Sequence, residues 1–178
     1  GELVFVDQYI DRTRLRTNTF FGSGIVVHAP FAQPVCPLLH GQLLGLAAQL
    51  GFAHHATGTY VCIEGPQFST RAESETNRKL GFDVIGMTNM HEAKLSREAE
   101  ICYATMALVT DYDCWHAEHD DVTVESVIAI LQQNVASSRN IIKAVAARAA
   151  AERSCQCASA LENSVMTSKE MIPAETRE

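Results

Sequence analysis

The 178-residue sequence contains no apolar run approaching the roughly 20 residues that a membrane-crossing helix needs. Basic charge is scarce: 14 Lys and Arg stand against 21 Asp and Glu, for a net charge of −7. With no basic stripe, that balance argues against a nucleic-acid partner. It does not exclude an anionic ligand, which backbone amides and a few side chains can hold locally. Neither a Gly-x-Gly-x-x-Gly loop nor an Arg-His pair occurs anywhere, so these residues lack a Gly-rich phosphate cradle. Linkers, low-complexity tracts and internal repeats are absent, and no Ser-His-Asp order supports a hydrolase triad.

What is present reads as one domain. A hydrophobic content of 47% over this length is enough for a real core. Residues 3–9 read as a strand, 12–24 as a polar loop and 25–28 as a short strand closed by Pro30. Leucines at 39, 43, 46 and 50, after Pro37 and before Gly51, predict a helix over 38–50. Strands follow at 59–63, 83–87 and 101–110. Thr70-Arg71-Ala72-Glu73 is a capping box that opens a helix ending near Gly81. Further helices are expected over 92–100, from Thr123 to about 150 and over 158–170. Strands alternating with helices indicate an α/β layered domain.

The six cysteines are Cys36, Cys62, Cys102, Cys114, Cys155 and Cys157. Scattered apolar cysteines are the pattern of reduced core residues. Cys155-Gln156-Cys157 differs, because C-x-C can form a strained local disulfide or exchange thiols. No second closely spaced Cys or His pair completes four ligands in sequence, so no metal is expected.

The chemistry concentrates in Val109-Thr110-Asp111-Tyr112-Asp113-Cys114-Trp115. Two carboxylates two residues apart point to the same side of an extended chain. At the carboxyl end of a buried strand, that side faces the usual ligand crevice of an α/β sheet. Such a pair can grip the edge of a nitrogen heterocycle. One acid holds or delivers a proton at a ring nitrogen and the other accepts from an exocyclic amine. A strand end turning into a loop is also a common place for Asp, so the pair alone leaves both readings open.

Ile63-Glu64-Gly65-Pro66-Gln67-Phe68-Ser69-Thr70-Arg71-Ala72-Glu73 closely resembles a signature of the trimeric purine nucleoside phosphorylases. The Thr-Asp-Tyr-Asp run and Asp7-Gln8-Tyr9-Ile10-Asp11-Arg12-Thr13 fit the same family, in the right order, and the resemblance extends to about Arg177. It implies a mixed central sheet flanked by helices. The family's phosphate loops precede the position of Gly1, so further sequence before Gly1 is expected, with residues 1–178 forming a single domain that lacks its N-terminal part. The implied reaction is phosphorolysis of S-methyl-5'-thioadenosine to adenine and 5-methylthioribose 1-phosphate, with phosphate as co-substrate and no cofactor. Also implied are a cytoplasmic enzyme, trimers or paired trimers, and neither a nucleic-acid nor a membrane partner. A phosphorylase of broader or 6-oxopurine preference is the alternative, and a non-catalytic nucleoside-binding protein is the second. For Cys155 and Cys157 the resemblance keeps a disulfide open beside free thiols.

Residue by residue, the resemblance assigns Asp111 as the acid at the purine N7 and Asp113 as the acceptor for the 6-amino group. Phe68 would stack on the purine. Ser69 stands where 6-oxopurine enzymes carry glutamate, which would accept from a ring N1–H that adenine lacks. Met87 would contact the ribose and base, and Thr88 the phosphate. His28 would reach the 5' end of a nucleoside bound by the adjacent subunit. Val124 and Val127 would line an apolar 5' pocket, and residues 161–166 would close it. His91 stands where the resemblance leads one to expect proline.

Overall fold

The computed structural model describes residues 2–116, 124–148 and 153–176. Among the described residues there are six strands: β1 Leu3–Val6, β2 Gln8–Arg12, β3 His54–His55, β4 Thr59–Ile63, β5 Val84–Gly86 and β6 Thr105–Leu108. The helices are α1 Pro37–Gln49, α2 Arg71–Lys79, α3 Met90–Glu98 and α4 Val124–Arg148. The strands form two three-stranded sheets. In one, β1 lies between parallel β3 and antiparallel β6; in the other, β4 lies between β2 and β5, all parallel. The α/β class expected from the sequence is therefore observed, with its strands divided between two ladders.

The division corrects the single strand expected over 3–9. At Asp7 the chain leaves one sheet for the other. The Asp7 N–H donates to the Gly58 carbonyl at 3.2 Å, and the Gly58 N–H donates to the Asp7 carboxylate at 2.9 Å. An aspartate that pairs with a neighbouring turn through both backbone and side chain is a natural crossing point between ladders. All four residues of β1 are buried, as in a strand covered on both faces. Leu3 and Phe5 pack with Leu43, Ala47 and Ile141 beneath α1 and α4, whereas Val6 joins Tyr60, Cys62 and Met90.

Other expectations shift at their edges. The strand expected over 101–110 is confined to β6, because 101–104 run as an irregular linker. The 25–28 strand is reduced to a single antiparallel bridge, Val27 to Val165. The helix expected over 158–170 is not continuous. Short 3-10 turns at Gln156–Ser159 and Lys169–Met171 flank the segment that makes that bridge. Pairing with 26–28 competes with helix there: Met166 donates to the Val26 carbonyl and His28 to the Ser164 carbonyl, each at 2.8 Å. No helix among the described residues is long and apolar enough to cross a membrane.

The capping box forms as read. The Thr70 hydroxyl accepts from the Glu73 N–H at 3.3 Å, and the Glu73 carboxylate accepts from the Thr70 N–H at 2.8 Å. Thr70→Ala is expected to lower stability by about 1 kcal/mol through loss of the N-cap. The denaturant midpoint of the folded variant measures it, and an unchanged midpoint would contradict the role.

Candidate active site

The loops that follow β4, β5 and β6 are joined to one another by specific contacts. Cys114, in the loop after β6, directs its thiol at the Ser69 carbonyl in the loop after β4, at 3.7 Å. This is the one direct contact between the Phe68-Ser69 motif and the aspartate run among the described hydrogen bonds. Next to Cys114, the Trp115 ring lies under the Arg78 guanidinium of α2, 3.9 Å from its centroid. That cation–π contact holds the turn onto the helix that Ser69 and Thr70 introduce. The base of the loop is fixed by α4: buried Asn134 donates to the Val109 carbonyl at 3.2 Å.

Asp111 and Asp113 therefore lie on an anchored loop. The Asp113 carboxylate accepts from the Cys114 N–H at 2.9 Å, and its carbonyl accepts from the His116 N–H at 3.1 Å. Partial withdrawal of the Asp111 carboxyl from water raises its pKa, and the charge on Asp113 adds to that, against a lowering hydrogen bond from Thr110. An acid that stays protonated further toward neutrality is better suited to proton donation. Phe68 is 78% exposed, so its ring is free to stack on a planar partner.

The loop after β5 is tied to the loop after β4 by Arg16, which the sequence reading did not single out. Its guanidinium meets the Glu64 carboxylate at 3.2 Å, the Glu64 carbonyl at 2.6 Å and the Met87 carbonyl. Glu64 also accepts from the N–H groups of Arg14 and Leu15. A lone arginine in a polar loop gives no periodic signal; only the fold reveals its partners. Gly65, at φ +68, lies against Met87, and a Cβ there would stand 2.6 Å from the Met87 sulfur. Thr88 is exposed. Its N–H faces the Tyr60 hydroxyl at 3.5 Å, and its hydroxyl accepts from Asn89 at 3.4 Å. Asn89 adopts φ 74, an uncommon backbone conformation for a residue with a side chain. Its side-chain oxygen accepts from Tyr103 and Thr105 at 2.8 and 3.1 Å. This second unforeseen residue fixes the turn that presents Thr88.

His91, unexplained in sequence, is buried in α3. Its Nε2 lies 2.9 Å from the Thr13 hydroxyl, which gives its single proton to Asp11 at 2.7 Å. The Thr13 oxygen must then accept, which places a proton on Nε2 of His91. Asp11 also meets Lys94 at 2.6 Å. Burial alone would raise the Asp11 pKa, but Lys94 and the Thr13 hydroxyl and N–H outweigh it and bring it down from 3.8 to about 2. A depressed acid adds stability above its unfolded pKa, and that stability is lost as pH falls toward about 2. Asp11→Asn should flatten the loss of stability between about pH 4 and 2. Parallel slopes for variant and parent in acid denaturation would refute the pairing.

His28 does not join these loops. It is exposed beside the Val27–Val165 bridge, and the contacts that unite the base motifs do not reach it among the described residues. Of 161–166, Ser164 and Met166 pair with His28 and Val26 in this chain. Val124 and Val127 open α4, but their side chains lie outside the described residues. Thr123, the expected cap of that helix, also lies outside them.

Two three-stranded sheets with helices packed against them carry an acidic pair on a loop tied to the Ser69 carbonyl, beside the exposed Phe68. The model of the Phosphorylase superfamily matches residues 1–147, and the chain belongs to that superfamily. The S-methyl-5'-thioadenosine phosphorylase of Geobacter sulfurreducens is 56% identical, covering 100% of this chain and 63% of the relative. The enzyme of the same name from Thermosynechococcus vestitus is 54% identical over 99% of this chain and 63% of its own. Among solved structures, a methylthioadenosine phosphorylase from an antarctic soil metagenomic library superposes with a TM-score of 0.90. It is 45% identical, covering 99% of this chain and 63% of that one. The methylthioadenosine phosphorylase of Schistosoma mansoni in complex with adenine gives a TM-score of 0.86 at 32% identity, over 93% of this chain and 66% of that one. The chain thus spans 63% of the length of each of these two curated relatives.

Proposed function

We propose that the protein containing this chain carries out phosphorolysis of S-methyl-5'-thioadenosine, giving adenine and 5-methylthioribose 1-phosphate. The observation that carries this reading is the contact between Cys114 and the Ser69 carbonyl, which docks the aspartate loop onto the loop bearing Phe68. Phosphate attacks the anomeric carbon while cationic character develops on the sugar. The departing adenine takes up negative charge, and Asp111 neutralises it by donating a proton to N7. Asp113 accepts from the 6-amino group, and Phe68 stacks on the purine. Ser69 lacks the carboxylate that would accept from an N1–H, which suits a 6-aminopurine. Met87, whose carbonyl is held by Arg16, borders the ribose, and Thr88 contributes to the phosphate site.

His28 is exposed and apart from the base loops, which suits a residue that serves the 5' end of a nucleoside in a neighbouring subunit. Val124 and Val127 would make that end apolar and so suited to a methylthio group. Assembly as a trimer or a pair of trimers belongs to the same reading, as do cytoplasmic location and action without a cofactor. The names of the relatives support the reaction and do not bear on assembly, location or cofactor.

The test is phosphate-dependent release of base from methylthioadenosine, adenosine and inosine by the full polypeptide. Methylthioadenosine is expected to be favoured. Preference for inosine would establish the 6-oxopurine alternative, and binding without turnover the non-catalytic one. Pairing Ser69→Glu with Asp111→Asn should raise the inosine-to-adenosine ratio of rates. No rise in that ratio would remove the base-edge argument.

A further inference from the structure

Four of the six cysteines, separated in sequence, meet at one place. The sulfurs of Cys36, Cys102, Cys155 and Cys157 all lie within 4.8 Å of one another, and those of Cys102 and Cys155 are 3.4 Å apart. They come from three segments: the residue before α1, the linker between α3 and β6, and the 3-10 turn after α4. Cys36 and Cys157 are buried and the other two are half-buried. We propose that these four thiols form a closed binding site for zinc or a closely similar thiophilic divalent cation.

The spacing carries the proposal. Tetrahedral zinc with Zn–S bonds near 2.3 Å sets its sulfurs about 3.8 Å apart on every edge. Four sulfurs gathered within 4.8 Å need only small side-chain rotations to reach that figure. Disulfides would divide the four into two pairs, whereas here every sulfur lies within 4.8 Å of the other three. Sequence spacing concealed this, because only Cys155 and Cys157 are neighbours.

The surroundings suit a thiolate centre. The Cys36 N–H is fixed on the Tyr103 carbonyl at 2.7 Å, and the Cys36 carbonyl receives His40 in the first turn of α1. The Cys157 N–H is directed at the Cys155 sulfur, and Arg153 lies beside Cys102. Arg153 is itself held on the Glu100 carbonyl at 2.9 Å. Binding converts four thiols and one divalent cation into a centre of charge −2 and releases four protons to solvent. The amide and the guanidinium are the groups that stabilise the resulting charge. Such a centre would bind the segment after α4 to the body of the domain, and with it residues 164–166 that pair with 26–28.

The test uses the full polypeptide, reduced and incubated with zinc, then freed of excess metal. About one zinc per chain is expected by elemental analysis, as is protection of four thiols from alkylation until a chelator is added. Cobalt should substitute and give the intense visible bands of tetrahedral thiolate coordination. Cys102→Ser and Cys155→Ser, at half-buried positions, should lose the metal, and Cys114→Ser, outside the cluster, should keep it. If the serine variants do not fold, the cobalt spectrum of the parent decides. Failure of the reduced parent to take up either metal would overturn the proposal. So would disulfides that persist in place of uptake, or undiminished binding by folded Cys102→Ser and Cys155→Ser.

Discussion

Replacing Asp111 by asparagine is expected to slow phosphorolysis of adenine nucleosides about 10²-fold or more, the usual contribution of a general acid. Asparagine keeps the shape of the side chain and can still donate a hydrogen bond to N7, but it cannot transfer a proton. The loss should therefore fall on turnover more than on binding of free adenine. The loop itself should survive the change, because its anchors are Asn134 on Val109, Cys114 on Ser69 and Arg78 on Trp115. Burial and the charge of Asp113 both raise the Asp111 pKa. The acid is active while protonated, so activity should fall on the alkaline side as Asp111 ionises. Asp113→Asn removes the like charge, lowers the Asp111 pKa and should move that limb to lower pH. A folded Asp111→Asn variant within a few-fold of the parent would dismiss Asp111 as the donor. A limb that moves upward in Asp113→Asn would dismiss the coupling.

Local rules fixed what local chemistry decides. The Thr70–Glu73 box, the apolar spacing of α1 and the strand at Thr59–Ile63 are written within a few residues of themselves and were readable there. Long-range pairing was not. Nothing in 3–9 announces that Asp7 moves the chain between sheets, because the partner that makes it do so is Gly58. A helix over 158–170 is reasonable by composition, but residues 164–166 are taken by backbone pairing with 26–28. The candidate site divides the same way. Its acids and its aromatic stand in contiguous runs and could be named. Arg16, Asn89 and the four-cysteine cluster depend on partners from 14 to 121 residues away.

The largest loss of stability is expected from Phe5→Ala, roughly 3–5 kcal/mol by the usual cost of deleting a buried aromatic side chain. Phe5 is 0% exposed and sits on β1, the central strand of its sheet, between β3 and β6. It packs with Leu3, Leu43, Ala47 and Ile141, and meets the rings of His40 and His54 edge-on at 6.2 and 5.8 Å. Alanine would leave a void bounded by β1, α1 and α4, elements whose backbones are held by their own hydrogen bonds and cannot collapse to fill it. Against a typical total of about 5–15 kcal/mol, that loss is a large fraction of the stability. The comparison is Leu15→Ala: Leu15 is 89% exposed, so its removal should change stability by no more than about 0.5 kcal/mol. Urea unfolding of the full polypeptide with both variants measures the difference. A Phe5→Ala midpoint within error of the Leu15→Ala midpoint, at equal slope, would mean that β1 is not the centre of the core.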